Sequence, residues 1–226
     1  MKNNGKLFIV PTPIGNLEDI TFRAIETLKN VDLVLAEDTR KSKILFKKHA
    51  ITTSLKSYHI NNEHRVVNLY VASLVDGKKI ALVSDAGTPS ISDPGFLLIR
   101  ESIKKNIEII CLPGATALIP ALVMSGLPSE KFVFEGFLPK KKGRDSRLKE
   151  LAIEKRTVIL YESPLRVIKT LQDLKEFFGS DRRISLSREI SKIYEETYRG
   201  TIEDAIAHLS NKNPKGEFVI CIDKLG

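Results

Sequence analysis

The sequence has only two cysteines in 226 residues, Cys111 in EIICLPG and Cys221 in FVICID, with no CxxC pair and no histidine beside either. A disulfide scaffold and a structural zinc site are thereby excluded, and both thiols are expected buried in strands. The four histidines, His49, His59, His64 and His208, are too dispersed for a metal triad, although His59 and His64 share one polar stretch; no metal is expected. No apolar run approaches the roughly 18–20 residues of a membrane span. MKNNGK leads straight into LFIV without a cleavable hydrophobic segment, so a soluble, cytoplasmic protein with no membrane partner is expected. GxGxxG and GxxxxGK[ST] are both missing, and dehydrogenase and kinase readings fall away with them. There is no internal repeat or low-complexity tract, and 13 Gly and 10 Pro are too few for a disordered or fibrous chain.

What is present is the composition of a globular protein, 42% hydrophobic and 28% charged. The runs KLFIV, VDLVLA, KIALVS, IEIICL, KFVFEG, TVILYE, RISLSR and EFVICID are short, apolar and β-branched. They alternate with amphipathic stretches such as Thr21–Asn30, Asn62–Val75 and Gly95–Lys105, whose apolar residues fall three and four apart. This is an α/β chain with largely buried strands, and its N-terminal half reads as a βα repeat. After ICLPG comes the small-residue stretch ATALIPALVMSGLPSE, which places a domain boundary near residues 112–130; two α/β domains are expected, 1–114 and 115–226. The formal charge of +8 is shared equally by the halves but is locally dense. Residues 39–62 hold Arg40, Lys41, Lys43, Lys47, Lys48 and Lys56 without one acid, and residues 139–156, PKKKGRDSRLKELAIEKR, hold eight basic residues and three acids. Each run alone reads as a solvated face or as a phosphate-binding surface.

Polar groups gather where the runs end. LFIV enters Pro11-Thr12-Pro13-Ile14-Gly15-Asn16, a loop stiffened by two prolines at the strand end, where α/β sheets bind ligands; a plain turn would look similar. VDLVLA ends in Glu37-Asp38-Thr39-Arg40, which reads as helix-start chemistry or as the rim of a site. Ser57 to His64, SYHINNEH, is crowded with donors, acceptors and groups titrating near neutrality, or is a capping turn. The most distinctive loop, Ser84-Asp85-Ala86-Gly87-Thr88-Pro89-Ser90-Ile91-Ser92-Asp93-Pro94-Gly95, has small residues that let a ligand approach the backbone, and Asp85 is suited to accept from a ribose or an ammonium group. Leu112-Pro113-Gly114-Ala115-Thr116 repeats the pattern. Three such loops at successive strand ends point to one ligand seated across a sheet edge.

In this order and spacing, VPTPIGNLEDIT, AEDTRKS, SDAGTPSISDPG, PGATA and FEGFLP resemble a branch of the tetrapyrrole methylase superfamily. Members of that branch methylate the 2′-hydroxyl of a cytidine in the decoding region of small-subunit (16S) ribosomal RNA. The resemblance covers nearly the whole chain. It implies two α/β domains with S-adenosylmethionine in the cleft between them, and a homodimer. By position it carries cofactor binding to Pro11, to Ser84, Asp85, Ala86 and Gly87, to Ser90 and Ile91, to Ala115 and Thr116, and in the second domain to Leu160, Tyr161, Gly216 and Glu217. The first loop, PTPIGN, departs from the glycine-rich form common elsewhere in the superfamily. Many members of the branch carry a further basic C-terminal segment that this sequence does not show, so its RNA contacts are expected elsewhere.

Methyl transfer from a sulfonium is an in-line displacement that needs alignment and a base for a weakly acidic hydroxyl. The candidates are Glu37, Asp38, Arg40, Tyr58, His59, Asn62 and Glu63, with Arg166, Arg188 and Glu189 from the second domain. Carboxylates and His59 are expected near the hydroxyl. Lys41, Lys43, Lys140, Lys141, Lys142, Arg144, Arg166 and Arg188 are expected at phosphates of 16S ribosomal RNA or the small subunit. The rival readings are a methylase of a corrin or porphyrin, which needs an apolar trough, and a non-catalytic RNA-binding relative.

Overall fold

The computed structural model describes residues 5–210 and 213–225. Residues 1–4 of the MKNNGK stretch, residues 211 and 212 and the final residue 226 lie outside them. The chain forms two compact units, Met1–Thr116 and Ala117–Gly226.

In the first unit the order is β1 (Lys6–Ile9), α1 (Phe22–Asn30), β2 (Leu33–Ala36), α2 (Thr39–Lys48), β3 (Leu55–Ser57), α3 (Glu63–Val75), β4 (Lys79–Val83), α4 (Phe96–Lys104) and β5 (Glu108–Cys111). The five strands form a parallel sheet in the order β3-β2-β4-β1-β5. Side chains alternate across it, as the pleat requires. Val10, Val34, Ala36, Ala81 and Val83 pack with Ala24 and Leu28 of α1 and Leu45 and Phe46 of α2. Leu7, Ile9, Leu35, Ile80 and Leu82 pack on the other face with Val67, Val71 and Leu74 of α3 and Leu98 of α4. Burial on both faces is why these strands read as continuous apolar runs.

The second unit runs α5 (Leu118–Ser125), β6 (Phe132–Phe137), α6 (Arg144–Ala152), β7 (Thr157–Glu162), α7 (Val167–Phe178), β8 (Arg183–Arg188), β9 (Glu196–Thr201), α8 (Ile202–Ser210) and β10 (Phe218–Ile222). Its sheet, β6-β7-β10-β8-β9, pairs β6 and β7 in parallel and the remaining neighbours antiparallel. The core joins Val158, Leu160, Ile184, Leu186 and Ile220 to Leu148, Leu171, Leu174, Ala205 and Leu209 of the helices. Pro120 is tolerated in α5 because it falls in the first turn, where an amide proton has no helical partner.

Two expectations need correction. Cys111 is exposed, because β5 is an edge strand paired only with β1; Cys221 is buried, and burial pushes its thiol up to about 12. The polar stretch ETYRGT forms β9, an edge strand that the search for apolar runs passes over. No helix among the described residues is long and apolar enough to cross a membrane.

Candidate active site

The carboxyl ends of β3, β2, β4, β1 and β5 bring five loops to one edge of the first sheet, in that spatial order. The loop after β1 leads to α1, in the core of one face, and the loop after β4 leads to α4, in the core of the other. Because β1 and β4 are neighbours, this is a topological switch point, the place where open α/β sheets leave a crevice for ligands.

The two loops at the switch point are tied together. Thr12 N donates to Gly87 O at 2.9 Å, and Gly87 N to Thr12 O at 2.8 Å. Thr12 Oγ1 donates to Ser84 O at 3.1 Å, and Thr88 Oγ1 to Ala115 O at 3.1 Å, so the loops after β1, β4 and β5 form one hydrogen-bonded rim. Ser84 is buried, with its hydroxyl 3.3 Å from the carbonyls of Ala86 and Gly87. Gly87 has φ +79°, and Ser90 and Ser92 hold left-handed φ of 72° and 64° without being glycine. Such positions cost about 1–3 kcal/mol each and persist where the surroundings over-determine them. At Gly114 a Cβ would stand 2.7 Å from Pro11 Cβ, so the β1 and β5 loops meet only because no side chain intervenes. Gly114→Ala is expected to cost about 1–3 kcal/mol by overpacking, read as a lower Tm.

Beside this rim lies an ionisable cluster. Asp85 Oδ1 accepts from Asp38 N at 2.9 Å, and Asp85 Oδ2 accepts from Lys41 Nζ at 2.7 Å. Lys41, expected at a phosphate, is paired with Asp85 while its side chain stays largely exposed. Glu37 Oε2 lies 3.5 Å from Asp85 N. Burial, and then the charge of Asp85, raise the Glu37 carboxyl above its ordinary value. His59 lies close enough to act electrostatically on Glu37, and its Nδ1 is buried with no hydrogen-bond partner. A pocket of about 60 Å³ is lined by Thr12, Leu17, Phe46, Ser84, Lys41 and Asp85 among others.

Other candidates have local duties. Asp38 caps α2, accepting from Arg40 N at 2.8 Å, and its two oxygens grip the exposed Arg40 guanidinium at 3.0 and 2.7 Å. That pairing holds its carboxyl well below the usual range, so the helix-start reading of EDTR is right for Asp38. Asn62 shapes its loop, accepting from His59 N at 2.8 Å and donating to Ser57 O at 3.1 Å. Glu63 accepts the hydroxyl of Tyr58 at 3.3 Å. Tyr58 belongs to the core, where burial drives its pKa upward. Lys43 is exposed on α2. Thr12 and Thr88, which knit the rim, escaped sequence reasoning, because a threonine in a loop carries no signal of the carbonyl it will meet.

In the second unit, Leu160 is a core residue, so its side chain is unavailable to a ligand. Tyr161, on the opposite pleat, meets Phe134 and Phe137 edge to face at 4.9 and 5.8 Å. Arg144, expected at a phosphate, is buried: it reaches Asp173 at 2.7 Å, Thr170 at 2.9 Å and Pro139 O at 2.9 Å. Arg166 pairs with the buried Glu162 at 2.8 Å, and Thr170 donates to Glu162 at 2.7 Å. Arg188 donates to Lys215 O at 2.6 Å and pairs with Glu196 at 3.8 Å. Glu217 and Glu189 share Lys192, at 2.9 and 2.7 Å, and Gly216 packs against the Glu189 side chain. Lys140, Lys141 and Lys142 are exposed. Among the described residues no group of three or more His, Cys, Asp or Glu is placed to hold a metal ion.

Residues 6–206 match the family model of the tetrapyrrole (corrin/porphyrin) methylases, and the chain belongs to that family. It is 51% identical to the ribosomal RNA small subunit methyltransferase I of Synechocystis, over 96% of this chain and 78% of that protein. With the Thermotoga maritima protein of the same name the identity is 46%, over 96% of this chain and 98% of the relative. Among solved structures, uroporphyrin-III C-methyl transferase from Thermus thermophilus, in complex with S-adenyl homocysteine, shares the fold. The TM-score is 0.67 at 17% identity, covering 96% of this chain and 97% of that one.

Proposed function

We propose that this protein transfers a methyl group from S-adenosylmethionine to the 2′-hydroxyl of a cytidine in the decoding region of 16S ribosomal RNA. The observation that carries the reading is the Glu37–Asp85–Lys41 cluster beside the tied rim at the switch point. The names of the relatives, at 46–51% identity, support the ribosomal substrate. Of the residues assigned to the cofactor, Leu160, Tyr161, Gly216 and Glu217 belong to the second unit, and Pro11, Ser84 to Gly87, Ser90, Ile91, Ala115 and Thr116 to the first. Those of the first unit offer backbone groups and small side chains, which suits close approach by a nucleoside.

In the reaction the ribose oxygen attacks the methyl carbon as the carbon–sulfur bond breaks. The bonding electrons pass to sulfur, leaving S-adenosylhomocysteine, and the hydroxyl proton passes to a base. Glu37 is assigned as that base, because its raised pKa makes it a better proton acceptor than an ordinary carboxylate and it has no ion pair among the described residues. Asp85 and Lys41 hold the cluster in place, and His59 biases the charge of Glu37. Lys43 and Lys140 to Lys142 bind phosphates. The protein works in the cytoplasm as a homodimer, as the resemblance implies.

The test is transfer of labelled methyl from S-adenosylmethionine to small subunits lacking the modification, followed by nuclease mapping. Label in a 2′-O-methylcytidine of the decoding region is the expected result. Cofactor binding without label in subunits or naked RNA overturns the ribosomal substrate.

A further inference from the structure

One end of the second sheet gathers the lysines already given to phosphates and an exposed apolar tip that the catalytic reading leaves unused. The register pairs Phe137 with Tyr161, Glu162 with Phe218, Phe218 with Arg188 and Arg188 with Glu196. The loops after β6 and β7, the β8–β9 connection and the approach to β10 therefore all leave from the same edge. The first feature is basic: Lys140, Lys141 and Lys142 follow β6, are exposed, and make no ion pair with any described residue.

The second is apolar. Between β8 and β9, Ile193 is 93% exposed and Tyr194 70%. They do not ride on a loose loop. Glu189 N donates to Glu217 O at 3.0 Å, Glu217 N to Glu189 Oε1 at 3.0 Å, and Ser191 N to Glu195 Oε2 at 2.6 Å, while Lys192 bridges Glu189 and Glu217. Glu189 and Ser191 hold left-handed φ of 52° and 68°, as non-glycine residues seldom do. Charges at its base are paired, Arg188 with Glu196 and Lys192 with Glu189 and Glu217. What the loop presents outward is an aromatic and an aliphatic side chain on a tied frame, with the exposed Glu195 carboxylate beside them turned to the Ser191 amide. Unpaired cations at one side of an edge and a rigid aromatic at the other are the two elements of a single-strand site, one for phosphates and one for a base.

Resting on the proposed RNA substrate, we propose that Tyr194, backed by Ile193, stacks on an unpaired base of the acceptor strand while Lys140 to Lys142 hold its phosphates. Tyr194 positions the strand and takes no part in the chemistry.

The experiment measures binding of a short fluorescein-labelled single strand from the 16S decoding region to the full chain, at salt from about 50 to 200 mM. Tyr194→Ala is expected to weaken binding about tenfold, because stacking is lost, and to leave the slope of log K against log salt unchanged. Tyr194→Phe keeps the ring and is expected to bind as the unsubstituted protein does. Replacing Lys140, Lys141 and Lys142 together by Ala is expected to flatten the slope by about 2, at roughly 0.7 per phosphate on a single strand. S-adenosylmethionine binding, followed by calorimetry, should not move in any of them. Unchanged RNA affinity in Tyr194→Ala overturns the stacking role and leaves the enzyme reading intact. A variant whose sedimentation shows a dissociated dimer also overturns it, and assigns the tip to a second copy of the chain. If the unsubstituted protein binds neither the strand nor small subunits, the RNA reading itself fails and the stacking role with it.

Discussion

Glu37→Gln lowers methyl transfer to ribosomal RNA by about 10²–10⁴-fold, the range spanned by losing a general base, while S-adenosylmethionine still binds. The expectation follows from how the carboxylates divide their partners. Both oxygens of Asp38 are committed to Arg40, and those of Asp85 to Lys41 and the Asp38 amide. Glu37 is left half-buried with only the Asp85 amide at 3.5 Å. Glutamine keeps its size and its neighbours but cannot take a proton. A variant that loses cofactor affinity, with turnover at saturation intact, would move Glu37 from the chemistry to the binding site.

The same carboxylate sets a pH dependence. Burial and the nearby Asp85 raise its pKa above 4.5, so kcat/KM falls on the acid side with an apparent value above 4.5, and that limb disappears in Glu37→Gln. The sign for stability is fixed as well. Between 4.5 and the raised value the folded protein binds more protons at Glu37 than the unfolded chain does, so stability falls as pH rises through that interval. Glutamine is neutral at every pH, and the variant gains stability relative to the parent toward neutral pH. Equal urea-unfolding differences below and above the interval would remove Glu37 as the buried, perturbed group.

The loops that form the candidate site were legible because their composition is unusual. Prolines at 11 and 13, the SDAGTP run and PGATA stand at the ends of apolar runs, and a parallel sheet sends successive strand ends to one edge. Which side chains within those loops remain available was not legible. Asp38, Asn62 and Glu63 looked as chemical as Glu37, yet each is consumed by a partner within five residues, as a cap, a loop brace and a hydroxyl acceptor. Lys41 and Arg144 belong to basic runs, but pair with acids 44 and 29 residues away in sequence. Such pairings depend on strand order and helix placement, and one-dimensional charge density contains neither. The β9 strand was missed for a related reason: an edge strand buries little, so alternation of apolar residues is weak there.

Arg144→Met carries the largest expected effect on stability. The guanidinium is buried and fastens three things: the carboxylate of Asp173, the hydroxyl of Thr170 and the carbonyl of Pro139. Removing one member of a buried ion pair costs about 3–5 kcal/mol, which for a chain of this length lowers Tm by roughly 6–20 °C. Asp173 retains some access to water, which favours the lower end. Because Pro139 opens the loop that bears Lys140, Lys141 and Lys142, the substitution is also expected to weaken RNA binding without touching RNA. The two effects are separable. Replacing both partners, Arg144→Met with Asp173→Leu, leaves no unpaired charge and is expected to recover much of the stability. It does not restore the hydrogen bond to Pro139, so RNA affinity is expected to stay low. If the double variant recovers RNA affinity together with its Tm, the lysine loop holds its shape unaided, and the role of Arg144 is confined to the helix pair formed by α6 and α7.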